Sequence, residues 1–103
     1  MRSPCVYLMA NRRRGTLYCG VTSDLARRAL EHRDGAAPGF TRTHGLHRLV
    51  WFEMHSSMYE AICREKRIKR WRRAWKYELI EERNPDWRDL SESLSPWAHS
   101  AIG

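Results

Sequence analysis

Five side chains in this sequence are of the kinds that handle phosphate esters. They are two tyrosines, Tyr7 and Tyr18, an arginine and a histidine one helical turn apart, Arg28 and His32, and one glutamate, Glu65, set among apolar residues. A phenol or an imidazole can take or relay a proton from an attacking water. A guanidinium neutralises charge that builds on phosphorus-bound oxygens. A carboxylate oxygen is the ligand that hard divalent cations prefer. The first four lie within Cys5 to His32, and whether they make a site depends on a carboxylate supplied from elsewhere in the chain.

The elements that must position them can be read in order. Cys5 to Ala10 and Thr16 to Val21 are two apolar runs around a polar loop closed by Gly15, which predicts a β-hairpin. A register with Tyr7 opposite Tyr18, and residues 11 to 14 as the turn, puts Val6, Leu8, Leu17 and Cys19 on the core face. Both phenols then share the other face with Thr16 and Thr22. Ser23 is the expected N-cap of a helix running to about His32, with Asp24 complementing the helix dipole. Arg28 and His32 sit at the edge of its apolar stripe. Gly35 to Gly45 reads as a loop, and Leu46 to Glu53 as a third, well-buried strand. Ser57 and Glu60 match a capping box that opens a helical pattern lasting to about Arg83, with a break expected near Lys69 to Arg72 and a stop at Asn84-Pro85. Trp87 and Trp97, in the tail beyond, are expected to fold back on the body.

The missing carboxylate comes from that long helical pattern. Its apolar stripe runs Met58, Ala61, Ile62, Ile68, Trp75 and Leu79, and Glu65 falls on it, three residues from Ile62 and from Ile68, whereas Glu60 faces away. A carboxylate on a core-facing stripe costs several kcal/mol unless it is paired or binds a cation. Two readings follow: a metal ligand or acid/base group, or an ordinary surface pair with Lys69 or Arg64 on a slightly rotated helix.

Around Glu65 lies the densest charge in the chain. Arg64, Lys66, Arg67, Lys69, Arg70, Arg72, Arg73 and Lys76 are interleaved with Trp71 and Trp75, and Arg12 to Arg14 add a second cluster in the hairpin loop. With 19 Lys and Arg against 12 Asp and Glu, the 103 residues carry a net +7. Such an excess favours a polyanionic partner, because a basic surface attracts phosphates and releases their counterions. The expected contacts to nucleic acid are Arg12, Arg13, Arg14, Arg27, Arg42, Lys66, Lys69, Arg70 and Arg73.

Other chemistries are not signalled. Cys5, Cys19 and Cys63 form no CxxC pair and read as small buried hydrophobes, which points to a reduced, cytoplasmic setting. His44, His47 and His55 have no metal-ligand spacing, and there is no Gly-rich phosphate loop, Ser or Cys nucleophile signature or zinc pattern. No signal peptide is expected, and no apolar run approaches the ~18 residues of a membrane span.

Taken together, these segments resemble the GIY-YIG nuclease superfamily, in particular its small single-domain bacterial members. The two tripeptides appear as Cys5-Val6-Tyr7 and Tyr18-Cys19-Gly20. Gly20 to Arg28, followed by His32, is similar to the family's first helix with its catalytic arginine. Glu60 to Glu65 is similar to the segment bearing its metal-binding glutamate. The likeness covers residues 4 to 88. Gly and Ile of the first tripeptide are replaced by Cys and Val, and Ile of the second by Cys. The resemblance implies an α/β chain of the α+β kind, with a central three-stranded antiparallel sheet flanked by helices in the order β-β-α-β-α-α. The domain would occupy residues 1–88 and a tail residues 89–103. It also implies metal-dependent hydrolysis of DNA phosphodiesters in repair or recombination, with Mg²⁺ or Mn²⁺ on Glu65. Arg28 would neutralise the phosphorane, Tyr7 or His32 would act as base, and Tyr18 would orient water or phosphate. A protein partner or oligomer would supply specificity. The alternative is a nucleic-acid-binding module that keeps the fold without turnover.

Overall fold

The computed structural model describes residues 3–33 and 44–94. Most of the Gly35 to Gly45 loop, with Arg42, and the tail from residue 95, with Trp97, lie outside the described residues. The sheet has β1 (Cys5–Ala10) at its centre, β2 (Leu17–Thr22) on one side and β3 (Arg48–Met54) on the other, both antiparallel to it. All six residues of β1 are buried, as befits a strand covered on both faces. Alternation divides them between two apolar layers. Val6, Leu8 and Ala10 join Cys19 beneath α2 (Met58–Lys69) and α3 (Arg73–Arg83), which contribute Ala61, Ile68 and Ile80. Cys5, Tyr7 and Met9 lie on the other face beneath α1 (Leu25–Arg33), which contributes Leu25 and Ala29. The chain is thus α+β in the order β-β-α-β-α-α, as its sequence predicts.

The hairpin register departs from the expectation. Tyr7 pairs with Gly20, and Tyr18 with Met9. The loop is wider than four residues: the Asn11 carboxamide accepts from the Thr16 N–H at 2.9 Å, the Arg12 carbonyl from the Gly15 N–H at 3.0 Å, and Arg14 adopts φ 52°. Because the slip is even, every side chain keeps its face. The tyrosines therefore become diagonal neighbours on the α1 side.

The helix starts are also refined. Asp24, not Ser23, caps α1: its Oδ1 accepts from the Arg27 N–H at 3.3 Å. Ser57 caps α2 by accepting from the Glu60 N–H at 3.2 Å, but the Glu60 carboxylate takes the Ser56 hydroxyl at 2.9 Å, so the capping box is only half made. The expected break falls at residues 70–72, and Arg72, in extended backbone, begins the next helix. That break resets the helical phase. Ile80 becomes the buried residue of α3, and Trp75, expected on the stripe, is 45% exposed.

The segment after α3 folds back. Trp87 is fully buried, and its Nε1–H donates to Glu81 at 2.7 Å. The same carboxylate receives Arg14 through two bonds of 3.0 and 2.8 Å, while the Tyr77 hydroxyl lies 2.7 Å from the Arg14 carbonyl and 3.0 Å from that of Gly15. One carboxylate and one phenol thereby tie the hairpin loop to α3 and to Trp87.

Candidate active site

Tyr7 and Tyr18 reach the α1 face from adjacent strands, and α1 brings His32 down on them. The ring centroids are 6.2 Å apart for Tyr7–Tyr18, 5.8 Å for Tyr7–His32 and 5.9 Å for Tyr18–His32, so the three rings form a near-equilateral cluster. At its centre the Tyr7 hydroxyl lies 3.3 Å from His32 Nε2. Gly20 is the floor of this cluster. A Cβ there would stand 2.6 Å from Tyr7 Cζ and Oη and 2.8 Å from Tyr18 Cε2, so only a residue without a side chain lets the Tyr7 ring lie across β2.

Burial sets the electrostatics of the cluster. The Tyr7 phenol is pushed well above the ordinary range, chiefly by desolvation and also by Tyr18, while the charge of Arg28 and its hydrogen bond pull the other way. His32 is held below 6.5, again chiefly by desolvation, with Arg28 and His47 reinforcing the shift and Glu31 opposing it. At neutral pH the pair is a phenol and an uncharged imidazole. His32 Nδ1 is buried with no hydrogen-bond partner among the described residues, which further disfavours the doubly protonated ring. His47 donates from Nδ1 to the His32 carbonyl at 2.9 Å and so holds the end of α1 in place.

Arg28 stands at the mouth of the cluster, its side chain 39% exposed, with Nε 3.2 Å from Glu31. Tyr7, Tyr18, Arg28 and His32 are thus brought together. Glu65 approaches from the other face, on α2. Its side chain is only 14% exposed, and one oxygen meets Lys69 Nζ at 3.2 Å, so the pairing with Lys69 weighed from sequence does form. Glu65 acts electrostatically on Cys19 of β2, and its partner Lys69 shares a cavity wall with Tyr18 at the rim of that edge strand. The two halves of the expected site therefore flank β2. Among the described residues, no group of three or more His, Cys, Asp or Glu is arranged to hold a metal.

The remaining expected residues divide clearly. Arg12, Arg13, Lys66, Arg70 and Arg73 are exposed. Arg14 is engaged by Glu81, and Arg27 lies 3.6 Å from Glu31. Arg64 joins Glu53 at 3.0 Å, and His55 meets the same oxygen at 2.9 Å. Burial pushes the Cys5 thiol up to about 11 and Cys19 up to about 12, which suits packing and not nucleophilic attack. Gly20 and His47 are not among the site residues expected from the sequence. Only strand pairing across Tyr7 shows what the glycine is for.

The family model for the GIY-YIG catalytic domain matches residues 3–78. The chain belongs to the GIY-YIG family. Among curated proteins it is similar to UPF0213 proteins. One from Bacillus pumilus is 37% identical over 68 residues, covering 66% of this chain and 69% of the relative. One from Staphylococcus haemolyticus is 40% identical over 68 residues, covering 66% and 83%. One from Haloquadratum walsbyi is 39% identical over 67 residues, covering 65% and 75%. No solved structure matches. Tyr7 and Tyr18, from the two tripeptides that resemble the family signature, are the two that pack on His32, and Gly20 is the floor beneath them. The GIY-YIG fold is consistent with a nuclease superfamily and with nucleic-acid binding. No described helix is long and apolar enough to cross a membrane.

Proposed function

We propose that this GIY-YIG domain is a metal-dependent endonuclease that hydrolyses phosphodiester bonds of DNA, branched or damaged DNA in particular. The observation that carries the reading is the Tyr7–His32 contact, 3.3 Å long and buried, with Arg28 at its mouth. A phenol raised so far by burial supplies no standing phenolate at neutral pH. It can, however, accept a proton from an attacking water while passing its own to a neighbouring base. Neutral His32 is that base, because its lowered pKa keeps a ring lone pair available through the usual imidazole range. Tyr18 orients the water or the phosphate. Arg28 neutralises charge on the non-bridging oxygens, and Glu31 steadies its guanidinium.

Glu65 is the residue that would hold Mg²⁺ or Mn²⁺. A single part-buried carboxylate, one oxygen on Lys69, fits such an ion, which keeps several waters and takes further oxygens from the phosphates themselves. When bound, the ion supplies Lewis-acid polarisation of the scissile phosphate and charge relief at the leaving oxygen. Purified protein with Mg²⁺ or Mn²⁺ is expected to nick branched DNA, and Glu65→Ala and Arg28→Ala each to abolish the product. Cleavage that survives both substitutions would sink the assignment.

The Lys69–Glu65 ion pair favours a second reading, a nucleic-acid-binding module without turnover. That module would bind DNA in a salt-sensitive way, yield no metal-dependent product and bind almost as well after Glu65→Ala.

A further inference from the structure

The rim of β2 brings Lys69 together with Lys76, a residue that none of these roles uses. The break between α2 and α3 carries Lys69, the last residue of α2, and Lys76, in the first turns of α3, to one open cavity of about 270 Å³. Leu8, Leu17 and Cys19 form its apolar base, and Tyr18 completes the wall. Both ammonium groups, together with Arg64, act on the Cys19 thiol in opposition to Glu65, so all four charged groups gather around one point of the edge strand. Lys69 shares its charge with Glu65 at 3.2 Å, whereas no carboxylate is paired with Lys76 among the described residues. Arg64 is offset by Glu53 at 3.0 Å, so the two ammoniums and Glu65 leave a single positive charge at an apolar floor. A phosphodiester carries the one negative charge that balances it. The cavity is smaller than a typical small-molecule site of about 300–1,000 Å³. It suits one phosphate with its ester arms.

We infer that Lys69 and Lys76 form a backbone-phosphate subsite at the β2 rim, which seats a neighbouring phosphate of the DNA strand as the strand passes from Tyr18 toward Glu65. The inference rests on the nuclease reading for the identity of the polyanion, and it assigns Lys76 a contact that the charge pattern of the sequence did not separate from its surroundings. It also gives Lys69 a second partner. A phosphate arriving in the subsite competes for the Lys69 ammonium and loosens its hold on the Glu65 carboxylate. Substrate binding and the availability of Glu65 are therefore coupled through one side chain.

The test uses the whole chain in EDTA, so that binding is read without cleavage. A short labelled DNA carries single neutral methylphosphonate linkages stepped along one strand, and wild type is compared with Lys76→Met and Lys69→Met. Methionine keeps the apolar stem and removes the charge. One linkage is expected to weaken wild-type binding about tenfold when neutralised, and to weaken Lys76→Met and Lys69→Met by clearly less. The salt slope of Lys76→Met should be shallower by about 0.9, the loss of one phosphate contact on duplex DNA. Equal losses in wild type and variant at every linkage would overturn the subsite, even if the protein cleaves DNA. Coupling at one linkage without any metal-dependent cleavage would uphold the subsite and overturn the nuclease reading. A wild-type chain that binds no DNA overturns both. Unchanged thermal melts of the variants separate these losses from a fold defect.

Discussion

At the scale of single residues, the decisive fact is that Tyr7 and His32 are buried together. Burial raises one pKa and lowers the other, and both shifts favour the uncharged pair. The proposed relay needs neutral His32. Because its folded pKa is below 6.5, the rate should hold steady as pH falls to that value and decline only beneath it, with His32→Gln removing the acid limb along with most of the activity. Stability should follow the same group. Between the lowered folded pKa and the unfolded value near 6.5, the unfolded chain binds more protons, so stability falls as pH drops through that window. Urea melts from pH 7.5 to 5 check this, and the His32→Gln melts should be flatter across it. Gly20 gives a second residue-scale prediction. Gly20→Ala must push the Tyr7 ring aside, at a cost of about 1–3 kcal/mol, and should lower the cleavage rate at least tenfold while the far-UV spectrum stays native. A variant as active as wild type would show that the Tyr7 ring position is irrelevant.

At the scale of elements, the hairpin owes its rigidity to groups far away in the chain. Glu81 holds Arg14 and Trp87 together, and these bonds lower its carboxyl from 4.5 to about 2, the Arg14 hydrogen bond first and the Trp87 bond second. A carboxylate with a depressed folded pKa stabilises the fold fully above its unfolded value. That contribution is lost as pH falls from about 4.5 through about 2. Glu81→Gln should therefore lower Tm at pH 7 and bring the variant and wild type together near pH 2, as measured by calorimetry. The cap of α2 behaves more simply. Ser57→Ala removes one satisfied N–H and should cost about 1 kcal/mol in denaturant unfolding, independent of pH.

At the scale of the whole molecule, the charge distribution decides what the domain can approach. A net +7, with Arg12, Arg13, Lys66, Arg70 and Arg73 exposed, predicts DNA binding that weakens steeply with salt. Raising NaCl from 50 to 200 mM should reduce affinity by about 10³-fold or more if six or more phosphates are contacted. A salt-independent affinity would contradict a backbone-dominated interface. The sheet is the frame for this chemistry. It holds the aromatic cluster under α1 on one face and Glu65 under α2 on the other, and β2, being an edge strand, leaves an open rim between them.

The amino-acid pattern by itself determined the order of elements, the break in the long helical pattern and its stop, the shared face of Tyr7 and Tyr18, and the family resemblance. These depend on period and local cap chemistry, which a linear sequence displays directly. Tertiary structure alone decided the register. The wide turn braced by Asn11 and Arg12 shifted the pairing by two residues and set Gly20 beneath Tyr7. It decided that Trp75 lies outside and Ile80 inside, because a break resets helical phase by an amount no periodicity encodes. It also decided the protonation states of Tyr7 and His32, since desolvation is a property of the packed neighbourhood and not of either residue. For Glu65, the stripe foretold a carboxylate on the core-facing side of its helix. Only the packing of α2 against the far face of the sheet showed that it stands across β2 from the tyrosines, paired with Lys69.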